Sequence, residues 1–139
     1  VAVSPEGRLE LYSLHVYLLL ERLKGQGARA SEIAQALFDT YVGALDHALR
    51  ELGVGDLSVG KKMRKLGEAF YGRVKSLEDA LGALPDRTGL EAVLARTVYE
   101  DGAAENAPAL AEYVLAQRQA LATQDVDAIC NGVVAWAKP

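Results

Sequence analysis

Seven apolar residues, Val59, Met63, Leu66, Phe70, Val74, Leu77 and Leu81, recur at three- and four-residue intervals through the middle of the chain. At about 100° per residue they leave a helix as one narrow stripe, whereas on a strand they would scatter over both faces. This stretch must therefore be a long amphipathic helix. One such helix cannot cover its own stripe, so the rest of the chain must supply partners for it.

Those partners are legible as further helices. The first is expected over about Leu9 to Leu23, with Leu11, Leu14, Val16, Leu18, Leu19 and Leu20 covering so much of it that it belongs at the centre of a bundle. Gly25 and Gly27 provide its exit. The second is expected from Glu32 to Leu52, with Ser31 as N-cap, a core face of Ile33, Leu37, Tyr41, Leu45 and Ala48, and Gly53 as terminator. The basic helix then runs from about Val59 to Leu81, and Pro85 interrupts the pattern. A fourth helix is expected from Thr88 to Tyr99, followed by a turn at Asp101, Gly102 and Asn106. A fifth has Pro108 in its first turn, where the missing N–H is not needed. Asp125 would cap a last helix carrying Val126, Ile129, Val133, Val134 and Trp136. No alternating strand pattern or internal repeat competes with these periods. The expected fold is all-α, one domain over residues 1–139, an irregular bundle of about six helices.

Composition narrows the function. Half of the 139 residues are hydrophobic, so a real core is available, and the formal net charge is −4. That charge is uneven. From Lys61 to Lys75 there are six basic residues and one acidic, a local +5, against −9 for the remainder. An acidic body is a poor general nucleic-acid binder, and no specific DNA binding is expected. The apolar run Val16 to Leu20 is closed by Glu21, Arg22 and Lys24, far short of a membrane span, and no signal-peptide pattern is visible. The single cysteine, Cys130, permits no intrachain disulfide and reads as a buried, inert residue.

The candidate sites compete with plainer explanations. Gly55 to Lys62 superficially fits a phosphate-binding loop, but Lys62 stands where Ser or Thr must contact magnesium, and a helix precedes it where that loop needs a strand. His15 lies within an apolar helix and reads as structural. His47 has no second histidine nearby, so neither a metal nor any other cofactor is expected. Asp39, Asp46 and Arg50 share one side of the second helix, with Asp46 and Arg50 an i,i+4 pair. No nucleophile–base arrangement accompanies them, so catalysis is not expected. On the central helix Lys61, Arg64, Lys65 and Lys75 lie opposite the stripe, with Lys62 and Arg73 nearer its edge and Tyr71 between the two faces. This favours a recognition surface with Tyr71 as an anchor, for nucleic acid, anionic lipid or an acidic protein surface, among which the pattern does not choose. Gly67 and Gly72 break the helical propensity and suggest either close backbone approach or a kink.

The runs Asp46-His47-Ala48-Leu49-Arg50-Glu51-Leu52-Gly53-Val54-Gly55-Asp56, Leu57-Ser58-Val59-Gly60-Lys61-Lys62-Met63 and Glu68-Ala69-Phe70-Tyr71-Gly72-Arg73 resemble the ubiquinol–cytochrome c chaperone family. The resemblance extends over most of residues 10–138 and looks bacterial in type. It implies a non-enzymatic assembly factor for the cytochrome bc1 complex that binds newly made cytochrome b or an early intermediate. Mitochondrial relatives work with a second assembly factor and the ribosome. It also implies a cytoplasmic location, peripheral at the inner face of the bacterial inner membrane. On the family motif, Asp46, Arg50, Glu51 and Asp56 match the acidic–basic end before the helix, Lys61 and Lys65 its basic helix, and Tyr71, Gly72 and Arg73 its closing element. Two other readings compete. One is a generic protein- or RNA-binding module using the basic face of residues 59–75. The other is a small helical enzyme or ligand carrier with a pocket joining distant residues such as Asp39, His47 and Asp56.

Overall fold

The apolar stripe of the central helix is buried, but against two cores instead of one. The computed structural model describes residues 5–51, 53–98 and 104–138, with residues 5–8, 97–98 and 104 described by backbone alone. Six α-helices are present among them: α1 (Pro5–Leu23), α2 (Ala28–Glu51), α3 (Asp56–Gly82), α4 (Thr88–Val98), α5 (Ala107–Ala122) and α6 (Val126–Cys130). A 3-10 turn, Ala104–Asn106, leads into α5, and the described residues contain no strand. The expected all-α bundle is what forms.

The main core gathers Leu14, Tyr17 and Leu18 of α1 with Leu77 and Leu81 of α3, Leu90 and Leu94 of α4, and Val114 and Leu121 of α5. A second core joins Val16 of α1, Tyr41 and Leu45 of α2 and Phe70 of α3. A third closes Leu23 and Ala30 over Ile129 and the buried thiol of Cys130. All three draw on α1, which explains why that helix is apolar on nearly every side. No buried residue of α2 belongs to the main core, and α3 enters it only through its second half. The end of α2 and the start of α3 therefore form an antiparallel hairpin that leans on the smaller second core. Ring contacts of Phe70 with Phe38 and Tyr41, at 5.8 and 5.2 Å, hold its base.

Several boundaries differ from the sequence reading. α1 begins at Pro5, a residue suited to a first helical turn. α2 begins at Ala28, so Ser31 is not its N-cap: its amide already donates to the Gly27 carbonyl at 3.0 Å. α3 begins at Asp56, and Gly53, at φ +84°, provides the left-handed residue that ends α2. The expected end of the fourth helix at Tyr99, and the turn residues Asp101 and Gly102, lie outside the described residues.

The largest correction concerns the C-terminus. Asp125 does cap α6, accepting from the Asp127 amide, but the helix stops at Cys130. Gly132 at φ +84° breaks it, and Val133, Val134 and Trp136 lie in a non-helical tail. Two glutamines of the chain's C-terminal part, Gln117 in α5 and Gln124 just after it, hold that tail by its backbone. Gln117 donates to the Ala137 carbonyl and accepts from the Ala137 amide, both at 2.8 Å. Gln124 does the same for Ala135, at 2.6 and 2.8 Å. Side-chain amides thus replace the helical hydrogen bonds the tail forgoes. His15 completes the clasp and is structural: Nδ1–H donates to the Leu11 carbonyl, Nε2 accepts from the Tyr113 hydroxyl, and Trp136 stands edge-on at 5.3 Å.

Candidate partner-binding surface

The sequence-predicted residues separate into three groups. The first, at the hairpin turn, binds itself. Arg50 donates to Asp46 at 2.9 Å and reaches across the turn to Asp56, tying the end of α2 to the start of α3. The two carboxylates raise the pKa of the Arg50 guanidinium above its ordinary value. Glu51 pairs with His47 at 3.1 Å one turn along, and Asp39 accepts from Gln35. These contacts lie on an exposed surface, where Arg50 offsets only part of the charge of the four carboxylates. The glycine-containing turn at Gly55 precedes α3 directly and follows a helix, not a strand, which removes the phosphate-loop geometry.

The second group is Lys61, Lys62, Arg64 and Lys65. All four are exposed on the first half of α3, and none is in an ion pair with a described residue. Farther along the helix the cations are engaged. Lys75 meets Asp79 at 3.7 Å, and Arg73 turns inward to Glu10 of α1 at 3.2 Å, where both side chains are partly buried. Arg73 thus fastens α3 to α1, and the positive charge left to solvent is concentrated toward the hairpin tip.

The third group is built around Tyr71, which is 67% exposed. Its ring forms part of the wall of an open groove of about 670 Å³ between α1, α2 and α3. Leu20, Phe38, Phe70 and Val74 give the groove an apolar lining, with Glu21, Lys24, Gln35 and Glu78 also contributing. Burial, reinforced by the charges of Glu21 and Glu78, pushes the Tyr17 phenol well above its usual pKa, so this hydroxyl stays neutral in the groove wall. Arg118 holds Glu21 at 2.8 Å. Sequence reasoning missed the groove, because its walls meet only through tertiary packing. Glu10, the partner of Arg73, carried no local signal either, being 63 positions away.

Gly67 and Gly72 do not mark a helix crossing or a break. A Cβ built at either would meet nothing within 4 Å, and α3 runs unbroken through both. Gly72→Ala is therefore expected to stabilise the fold by about 0.5–1 kcal/mol, measured by urea unfolding. Loss of partner capture in this more stable variant would locate a close contact at Gly72, and unchanged capture would make the position a surface glycine.

Among the described residues no three His, Cys, Asp or Glu side chains are arranged to hold a metal ion, and none of Asp39, His47 and Asp56 lines the groove. The described residues thus present an open, largely apolar groove walled in part by Tyr71, and, nearer the start of the same helix, the exposed cations Lys61, Lys62, Arg64 and Lys65, which do not line it. The chain belongs to the ubiquinol–cytochrome c chaperone family, whose model matches residues 1–136. Its fold is similar to the crystal structure of the Cbp3 homolog from Brucella abortus, with 38% sequence identity and a TM-score of 0.84 over 97% of this chain and 75% of that one. No curated protein matched the sequence.

Proposed function

We propose that this chain is a non-enzymatic assembly chaperone that holds cytochrome b, or an early bc1 intermediate containing it, until the complex is built. The observation that carries this reading is an open groove with an apolar lining, walled in part by the exposed Tyr71, on the scaffold of this chaperone family. A membrane-protein client offers apolar segments that need cover before assembly, and an open groove with aromatic walls can supply that cover reversibly. Lys61, Lys62, Arg64 and Lys65 would orient the client, a second assembly factor or the ribosome by charge. The Asp46–Arg50–Asp56 link keeps the hairpin that displays them in shape. Neither nucleotide nor metal enters this mechanism. The chaperone would work in the cytoplasm, peripheral to the inner membrane; no described helix is long and apolar enough to cross one.

The test is affinity capture from cells assembling bc1, using the native chain, Gln35→Trp with Tyr71→Ala, and Lys61→Glu/Arg64→Glu/Lys65→Glu. Gln35 is exposed at the groove, so the indole would obstruct it without entering the core. Arg73 is left intact because its charge reversal would set two acids together in a partly buried site. Recovery of cytochrome b by the native chain, weakened at least about tenfold in the groove variant, is the expected result. Recovery untouched by either variant would move the contact surface elsewhere. Absence of any bc1 subunit from the native capture would overturn the function.

A further inference from the structure

Leu57 is the most exposed large apolar residue described, at 97%, and it sits in the first turn of α3 at the very end of the hairpin. A leucine left almost wholly in water has no role in this chain's own packing. Its neighbours on the helix are informative. Lys61 and Arg64 follow at i+4 and i+7, on the same side, and Lys65 at i+8 flanks them. All three lie within about 12 Å of Leu57 along the axis, at a rise of about 1.5 Å per residue. None is in an ion pair with a described residue: Asp56, next to Leu57, is already taken by Arg50, and Glu68, at i+4 from Arg64, is the one acid among the six cations from Lys61 to Lys75.

We infer that this hairpin tip is a peripheral membrane anchor, with Leu57 entering an anionic bilayer and Lys61, Arg64 and Lys65 seated among its headgroups. An apolar side chain leading a cationic face matches both layers of such a surface, the acyl boundary and the anionic headgroups. Nucleic acid would use the cations and leave Leu57 in water. A protruding hairpin end also suits a broad fluid surface better than a preformed pocket. The anchor rests on the peripheral membrane location of the chaperone reading and gives it a contact surface, but it needs no client and is tested without one. With the tip on the bilayer, the groove on the same hairpin's flank would be carried close to a membrane-inserted protein.

The test is co-sedimentation of the full chain with vesicles of phosphatidylcholine alone or with about one third phosphatidylglycerol, without any client. Binding is expected only to the anionic vesicles, weakening as salt rises. Lys61→Glu/Arg64→Glu/Lys65→Glu should lower the partition coefficient at least about a hundredfold. Leu57→Ser should lower it about tenfold at fixed salt, with unchanged circular dichroism. In Leu57→Trp the added emission should shift to the blue on the anionic vesicles. No partition, equal partition onto neutral vesicles, or binding indifferent to Leu57 would each overturn the anchor. So would tight binding of an RNA oligomer in place of the vesicles. Capture of cytochrome b in detergent by Leu57→Ser would show that the chaperone reading stands or falls independently.

Discussion

Gln117→Ala should cost the fold about 2–3 kcal/mol, more than most substitutions of a polar residue. Gln117 is 1% exposed, and its amide makes both a donor and an acceptor contact to the backbone of Ala137. Truncation removes both bonds and leaves a cavity in which the Ala137 N–H and C=O can be satisfied only by drawing water inward. The tail should then loosen from α5, and Trp136 should lose its edge contact with His15. Because Trp136 is the only tryptophan, its emission reports the event directly: a red shift should appear under native conditions, before global unfolding. Gln124→Ala should follow the same direction with a smaller loss, about 1 kcal/mol, because water already reaches its contacts with Ala135. A stability unchanged by Gln117→Ala would mean that the tail is held by Val134 packing and not by its backbone.

Leu18→Ala should be among the most damaging core truncations, at about 3–4 kcal/mol. Leu18 is 1% exposed in the main core, where α1, α3, α4 and α5 meet. Four helices cannot all collapse onto the space a leucine leaves, so the cavity cost adds to the lost transfer energy. Urea unfolding should show a lower midpoint with little change in slope. Leu57→Ala, the same chemical change at the hairpin tip, should move stability by less than about 0.5 kcal/mol. The contrast between two leucines separates one that holds the fold from one free to meet a partner.

The legibility of the chain follows the range of each interaction. The stripe from Val59 to Leu81, the dense apolar faces of α1, the Asp125 cap and the glycine stop at Gly53 are local signals, each contained within a few turns of one helix. They were readable because helical periodicity and capping depend on neighbours three or four residues away. The C-terminal helix was over-extended for the same reason. Val133, Val134 and Trp136 have apolar character suited to docking, but Gly132 and the glutamines at 117 and 124 decide that they dock as a non-helical tail. Among the site candidates, Asp46 and Arg50 were legible as an i,i+4 pair, while the added link to Asp56 required the turn to close.

The basic stretch shows the same division within a single helix. Sequence placed six cations between Lys61 and Lys75 and set most of them opposite the apolar stripe. It could not distinguish those that face a partner from those that serve the fold. Packing α3 against α1 brought Glu10 to Arg73, and the i,i+4 geometry brought Asp79 to Lys75, leaving Lys61, Lys62, Arg64 and Lys65 without an ion pair among the described residues.

Helix number, the amphipathic face of each helix, the charge asymmetry and the family motifs were thus determined by the sequence itself, since each rests on spacing along the chain. Tertiary structure alone decided the groove floored by Phe38, Phe70 and Val74, the inward turn of Arg73, the clasped tail and the isolation of Leu57. The physical reason is that burial and charge pairing depend on which surfaces meet. That choice is made when whole helices pack against one another, bringing together residues tens of positions apart.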